Sequence, residues 1–153
     1  MLGMHRAGMI ELPPVRQVNP NPLAVRTKPR PVTVEDTELC RRLGQIQPLR
    51  FVQVRRTKAE AIFNGLMEQY HYLGYTQPVG EHLKYLVYGV DRPIAALAWS
   101  SAPRHLGPRD RFIGWSGQQR RQNIRFLAYN SRFLIFPWVH VPHLASHILG
   151  QMA

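Results

Sequence analysis

Alternation of apolar and polar residues predicts four strands in this chain. Residues 49–56 alternate and predict the first strand. Residues 83–90 and 93–102 are apolar runs on either side of a polar dipeptide, Asp91-Arg92, so they predict a hairpin with one buried face. The nearly continuous apolar run at residues 131–139 predicts a central strand that is covered on both faces.

Apolar residues at helical spacing predict three helices. After the first strand, Thr57 and Glu60 form a capping box ahead of apolar residues spaced three and four apart. Residues 118–127 predict a second helix. Residues 143–149, entered through Pro142, predict a closing helix.

Two shorter segments have patterns of their own. Residues 33–44 predict a short helix, because acidic residues follow Thr33 and arginines precede Gly44, as the helix dipole favours. The single cysteine, Cys40, lies between leucines there, and we expect a packed structural thiol rather than a nucleophile. Residues 112–115 predict a short extended piece.

Composition divides the chain into three segments. Residues 1–16 contain a short possible helix ended by Gly8 and a brief strand pattern at residues 9–12, as expected for the remnant of a winged-helix-like region. Residues 17–32 are rich in proline and poor in large apolar side chains, so we expect a semi-rigid N-terminal arm or linker. Residues 33–153 form the predicted domain.

The chain is strongly basic: 20 lysines and arginines against 9 acidic residues give a formal net charge of +11. A hydrophobic content of 44% excludes a wholly disordered basic tail, and a single cysteine excludes a disulfide framework. The chain shows no secretory leader, and prolines and histidines interrupt its most apolar stretch, residues 133–149, which argues against a membrane span. We therefore expect a cytoplasmic protein whose partner is a nucleic acid, most simply DNA.

Positive charge is concentrated between residues 104 and 132, which hold seven arginines and one acidic residue, Asp110. The planar arginine fork suits phosphate, and an aromatic ring among such cations is typical of a groove that follows a nucleic-acid backbone. A solvated arginine face is the alternative reading. The predicted nucleic-acid-binding residues are Arg104, Arg109, Arg111, Trp115, Arg120, Arg121 and Arg125.

Two titratable residues are candidates for a general base. His71 ends a predicted helix, and Glu81 opens a predicted strand within the same aromatic neighbourhood. The alternative is structural: Glu81 would pair with Lys84, and His71 would pack among tyrosines. His71 and Glu81 are therefore the catalytic candidates, and whether the chain is an enzyme stays open.

Two further groupings carry less weight. His140, His143 and His147 have the spacing of metal ligands, but no carboxylate or cysteine lies near them in the sequence, so no metal is predicted. A serine, a histidine and an aspartate within residues 100–110 could be arranged as a triad, but no strained nucleophile turn supports it.

The predicted order of strand, helix, hairpin, helix, strand and helix resembles the N-acetyltransferase-like (GNAT) domain. The resemblance implies an α+β fold with a mixed, mainly antiparallel sheet flanked by helices, and a cofactor pyrophosphate at the helix that follows the fourth strand. The corresponding loop, residues 139–146, has no glycine, and Pro142 removes a donor, so no cofactor is predicted. A group-transfer (acyltransferase-like) enzyme with this loop at the cofactor is kept as an alternative.

Several short motifs, in order along the chain, carry a more specific resemblance. They are YHYLG at residues 70–74, GEHLKYLV at 80–87, PIAALAWSSA at 93–102, RDRFIGW at 109–115, NSRFLIFPW at 130–138 and LAS at 144–146. Together they resemble the DruA family, named for protein A of the Druantia anti-phage system.

The resemblance to this family implies bacterial defence or mobile-element biology, with other defence-system subunits as further partners. Members usually carry a winged-helix-like region before the core and a further segment after it. We therefore expect a chain that is truncated at both ends, with a C-terminally incomplete core. A structural subunit of a defence complex is the third functional alternative.

Overall fold

The computed structural model describes residues 2–11, 28–78 and 80–152, which contain both helices and strands. In chain order, the elements are α1 (Leu2–Arg6), β1 (Leu39–Cys40), β2 (Arg50–Gln53), α2 (Glu60–Tyr70), β3 (His82–Gly89), β4 (Arg92–Ser101), α3 (Gly107–Ile113), α4 (Gly117–Asn123), β5 (Ala128–Ile135), β6 (Val139–His140) and α5 (Leu144–Met152). Short 3₁₀ turns at Leu43–Gln45 and Ile124–Phe126 precede β2 and β5. The α+β class predicted from the sequence is confirmed.

The main sheet is antiparallel, with the strand order β2-β3-β4-β5. Its centre is the predicted hairpin of β3 and β4, in which Tyr85 pairs with Leu97. The hairpin turns through Val90 and Asp91, both at positive φ (53° and 59°), as in the turns whose twist matches that of paired strands. A separate ladder pairs β1 with β6 in parallel.

One core joins α2, the sheet and the C-terminal segment. The Trp138 ring lies 5.2 Å from the Tyr70 ring in an edge-to-face arrangement, so the segment after β5 packs against the end of α2. The largest fully buried apolar side chains of this core are Ile46, Phe63, Leu66, Met67, Leu86, Ile94, Leu97, Phe136, Leu144 and Ile148.

Residues 28–32 lie across α2 rather than apart from the domain. The backbone N–H of Val32 donates to Gln69 Oε1 at 2.9 Å. Gly65 makes the crossing possible, because a Cβ there would lie 2.8 Å from the carbonyl oxygen of Arg30 and 2.9 Å from Val32. The C-terminal end of the predicted linker is therefore held against the domain.

The predictions for residues 1–32 can be compared with the structure at residues 2–11 and 28–32. α1 ends before Gly8, whose φ of 70° suits a helix terminus. Residues 9–11 form no strand, so that part of the strand predicted at 9–12 is wrong. Residues 12–27 lie outside the described residues, and the assignments of 1–16 and 17–32 stay predictions.

The helix predicted at residues 33–44 is wrong. Residues 33–42 contain no helix, only Leu43 and Gly44 of the segment belong to a 3₁₀ turn, and Leu39 pairs with Val139, 100 positions later in the chain. Arg92 anchors the same segment by donating to Glu35 at 3.0 Å and to Thr37 at 2.7 Å. Long-range pairing has overridden the local helix signals.

Cys40 is exposed, so the expected packing of its thiol is also wrong. The Sγ donates a hydrogen bond to Glu38 Oε1 at 3.2 Å. That hydrogen bond raises the pKa of the Cys40 thiol, and the thiolate that a nucleophile requires is disfavoured.

Three local expectations need correction. Residues 112–115 do not form an extended piece, because residues 107–113 are the helix α3. The strand predicted at 131–139 ends at Ile135, and β5 is a half-buried edge strand rather than a central one. The Thr57 hydroxyl donates to Val54 O at 2.8 Å instead of capping α2, which begins at Glu60 without a side-chain cap.

Candidate nucleic-acid interface

Two short helices hold two of the predicted arginines, Arg109 and Arg120, around one carboxylate. Gly114, whose φ is 77°, is the C-cap of α3, and Ser116 is the N-cap of α4, where the Ser116 hydroxyl and the Gln119 side chain cap each other's backbone N–H. Asp110 is buried between the helices and accepts two hydrogen bonds from Arg109, at 2.7 and 3.0 Å. Arg120 Nη1 donates to the other carboxylate oxygen at 3.2 Å. Asp110 thus ties α3 to α4.

Asp110 stays ionised in this setting. The hydrogen bond from Arg109 lowers the pKa of Asp110, and that from Arg120 lowers it further, against burial that alone would raise it. Arg109 also donates to Pro103 O at 2.8 Å, so its guanidinium is held inside the structure. Of the predicted phosphate contacts, Arg109 is therefore the one most engaged within the protein.

A basic cavity lies beside this cluster. Its volume is about 290 Å³, and it is lined by Arg104, His105, Arg120, Arg121 and Ile124. No carboxylate lines this cavity, and within the described residues neither Arg104 nor Arg121 forms an ion pair. The structure thus brings together three of the predicted arginines in a concave site that favours an anion.

The other predicted residues lie outside this cavity. Arg111 is exposed on α3, and Trp115 is half-buried at the connection between the two helices. Arg125 is exposed and its guanidinium lies over the Phe126 ring, with the Arg125 Cζ 4.8 Å from the ring centroid. Of the seven predicted residues, three arginines therefore line the cavity and Arg109 is bound to Asp110 inside the structure. The other three residues lie outside the cavity.

Sequence reasoning missed two exposed aromatic rings. Phe112 on α3 is 93% exposed and Phe126 in the 3₁₀ turn is 71% exposed. Each directly follows an arginine, but so do Phe51 and Phe133, which pack against the core, so the sequence holds no signal that singles out the exposed rings. Phe126 lines an open apolar groove of about 370 Å³.

The catalytic candidates do not form an acid–base pair. The His71 ring stacks on Tyr72, with 4.7 Å between centroids, and its Nδ1 accepts from the N–H of Leu73. Burial lowers the pKa of His71, and the nearby Arg132 lowers it further. Glu81 is exposed and lies 3.4 Å from Arg55, so the pairing of Glu81 with Lys84 expected under the structural alternative is wrong.

Lys84 forms a buried network that the sequence reading missed. Its side chain is 0% exposed and its Nζ lies 2.8 Å from Glu60 Oε1 and 2.9 Å from Asn64 Oδ1. Tyr75 Oη and Gln77 Oε1, at 2.7 and 3.2 Å, complete the set. The signal that could have shown it is a lysine two positions before Leu86 in an apolar strand, because residues two apart lie on the same face and this face is buried.

The Lys84 network joins α2, β3 and the connection between them. Burial alone would raise the pKa of Glu60, but hydrogen bonds from Lys84 and from the Arg56 N–H hold it below its ordinary value. Because Glu60 is ionised, the ammonium group has its counter-charge. Among the described residues, no polar atom of the network is both buried and without a hydrogen-bond partner, which is the arrangement of a structural element.

The remaining groupings are not assembled into sites. His147 contacts Gln47 at 3.1 Å, whereas His140 faces Glu38 at 3.7 Å. Among the residues that the structure describes, no three potential metal-ligating side chains cluster. The Asp110 carboxylate is bound by two arginines rather than by His105, so the triad arrangement is not formed.

The loop at 139–146, considered above for a cofactor, divides between two elements. Its first two residues, Val139 and His140, form β6, and α5 begins at Leu144. In between, His143 adopts a positive φ of 62°. Over the described ranges, no helix is long and apolar enough to cross a membrane.

Comparison with known proteins gives one match. A family model described as Druantia protein DruA matches residues 34–153, which is 120 of the 153 residues. No curated protein and no solved structure matches the chain. The acetyltransferase-like arrangement of the core stays a prediction.

Proposed function

The chain belongs to the DruA family, and we propose that it acts in bacterial anti-phage defence by binding DNA through its arginine-rich face. The observation that carries this proposal is the basic cavity, in which Arg104, Arg120 and Arg121 converge without a lining carboxylate. Membership of this family supports other defence-system subunits as further partners, and DNA binding would then be the share of this chain in a larger assembly.

Physical chemistry favours a phosphate backbone as the partner of this face. Arginine presents five donors in a planar fork, which matches phosphate oxygens better than a lysine ammonium does. Arg120 is already oriented by Asp110, at 3.2 Å, so less side-chain freedom is lost when it binds a ligand. Arg111 and Arg125, exposed nearby in sequence, extend the positive surface beyond the cavity.

Fluorescence anisotropy of labelled DNA across a salt series tests the proposal. Phosphate contacts release counterions, so the logarithm of affinity should fall linearly with the logarithm of salt concentration. Arg104→Ala and Arg121→Ala should each weaken binding and reduce that slope by about one. Arg41→Ala is the matched control, because Arg41 is equally exposed and lies in a different part of the chain.

The control decides between a site and general basicity. If Arg41→Ala weakens binding as much as Arg104→Ala, the net charge of +11 explains the binding and the cavity does not. Negligible binding at low salt would contradict the proposal altogether.

A further inference from the structure

The open apolar groove lies directly beside the basic cavity. The 3₁₀ turn at Ile124–Phe126 separates the two: Ile124 lines the cavity, and Arg125 and Phe126 line the groove. Residues adjacent in the chain thus contribute to both surfaces. A ligand with an anionic group in the cavity could place a neighbouring apolar group in the groove.

The walls of the groove suit a flat ring with polar edges. Leu83 in β3 and Phe126 in the 3₁₀ turn are exposed apolar side chains, and Trp99, which pairs with Leu83 across β3 and β4, also lines the groove. The Trp99 Nε1 is buried and makes no hydrogen bond within the part of the chain that the structure describes. The Ser100 hydroxyl adds a polar group to the lining. Apolar faces with a few polar groups are the usual composition of a ligand site.

The charge around the groove selects the same kind of ligand. Arg125 stands at the groove over the Phe126 ring, at 4.8 Å. Glu81, the one carboxylate among the lining residues, faces Arg55 at 3.4 Å, so its charge is compensated. An apolar groove flanked by cations is complementary to a ring that is attached to a phosphate backbone.

We infer that the groove stacks an unpaired nucleobase, so that the DNA held by the arginine-rich face is single-stranded. This inference rests on the proposed function and names the form of its ligand. In a duplex the faces of the bases are stacked inside the helix, whereas an unpaired base can enter the groove while its phosphate lies in the cavity. Stacking on one aromatic side chain changes affinity by about 5- to 150-fold.

Three labelled DNA probes of equal length test the inference by anisotropy: a single strand, the same strand made of abasic sites, and a duplex. The intact single strand should bind most tightly. Phe126→Ala should weaken that binding by about 5- to 150-fold and leave the abasic strand unchanged. Arg121→Ala should weaken binding of all three probes, because phosphate contacts do not require a base.

Phe112→Ala is the matched control, since Phe112 is also an exposed phenylalanine that follows an arginine but does not line the groove. It should change little, and equal losses in both variants would overturn the groove assignment. Leu83→Ala removes another apolar lining residue, on a different element, and should produce a loss of the same kind. Unchanged thermal unfolding of each variant shows that the fold is intact.

The two proposals fail in different ways. If Phe126→Ala leaves single-strand binding unchanged while Arg121→Ala weakens it, the inference is overturned and DNA binding stands. The groove would then hold something other than a base, such as a side chain of a partner protein. If none of the probes binds, both proposals are overturned.

Discussion

Replacement of Lys84 by methionine tests whether the buried network stabilises the domain. Lys84→Met keeps most of the side-chain volume but removes the ammonium group that four oxygen atoms surround at 2.7–3.2 Å. Glu60 is then left without its counter-charge, and Asn64 and Tyr75 lose a donor. Methionine is flexible enough to fill the space, so the effect is mainly electrostatic.

The expected loss follows from the exposure of the partner that remains. Removal of one member of a buried ion pair destabilises a protein by about 3–5 kcal/mol. The Glu60 side chain is 23% exposed and can turn toward water, which places the loss near the lower limit, at about 3 kcal/mol. For a chain of this length, that corresponds to a fall in Tm of about 6–12 °C.

Urea and thermal unfolding of Lys84→Met, Glu60→Gln and the double variant measure this loss. Lys58→Met is the matched control, because Lys58 is exposed and should change stability by less than about 0.5 kcal/mol. The two single losses should together exceed the loss in the double variant by about 0.5–3 kcal/mol, since both remove the same interaction. The slope of the urea dependence should stay constant.

The same pair predicts an acid limb of stability. Because the folded-state pKa of Glu60 is lowered, its contribution is complete above the ordinary glutamate pKa of about 4.3 and is lost as pH falls through the folded value. The stability gap between the wild-type chain and Glu60→Gln should therefore close on acidification. A Lys84→Met variant as stable as wild type, or a gap independent of pH, would refute the reasoning.

Three more substitutions have expected outcomes. Gly65→Ala should destabilise the domain by about 1–3 kcal/mol in urea unfolding, because the new Cβ would overlap the Arg30 carbonyl oxygen; an unchanged midpoint would contradict the close crossing. Val90→Asn should raise the free energy of unfolding by about 1 kcal/mol, since Val90 is β-branched at a φ of 53°; a lower free energy of unfolding would contradict the strain. Asp110→Asn should destabilise the chain at neutral pH, and the gap should close as pH falls through the lowered pKa of Asp110, as thermal unfolding across pH would show.

Elements set by local patterns could be predicted from the sequence. The β3–β4 hairpin was placed within one residue of its observed strands, because alternation and a polar turn specify it locally. Helical spacing predicted α2 and α5, although the capping box predicted for α2 at Thr57 is wrong. In each case the signal and the structure lie in the same few residues.

The failures involve residues whose partners lie far away in the chain. The charges of the 33–44 segment are ordered as the dipole of a helix favours. Pairing of Leu39 with Val139 and the contacts with Arg92 nevertheless give the segment a non-helical structure. No local pattern reports such a partner. The edge position of β5 was missed for a related reason, because composition shows that a strand is apolar and not where it lies in the sheet.

The candidate site shows the same division between local and distant information. The composition of the sequence showed the arginine-rich segment. It did not show that Arg109 and Arg120 are bound to Asp110 while the other arginines are not. Exposure of Phe126 was likewise invisible, since an aromatic residue in a polar segment is more often packed. Composition therefore predicts the charge of a surface better than its geometry.

Positive charge alone does not mark the functional surface of this chain, because two of its clusters have opposite characters. Lys84 is fully buried and four oxygen atoms surround its ammonium group, so it contributes to stability and lies out of reach of a ligand at the surface. Arg104 and Arg121 are exposed and, within the described ranges, unpaired, so their electrostatic potential reaches solvent. Arg120 belongs to both kinds, since one of its donors holds Asp110 while the side chain lines the cavity. A ligand that binds at Arg120 therefore restrains the side chain that donates to Asp110, the carboxylate that joins α3 to α4. DNA binding should for this reason stabilise the packing of these two helices.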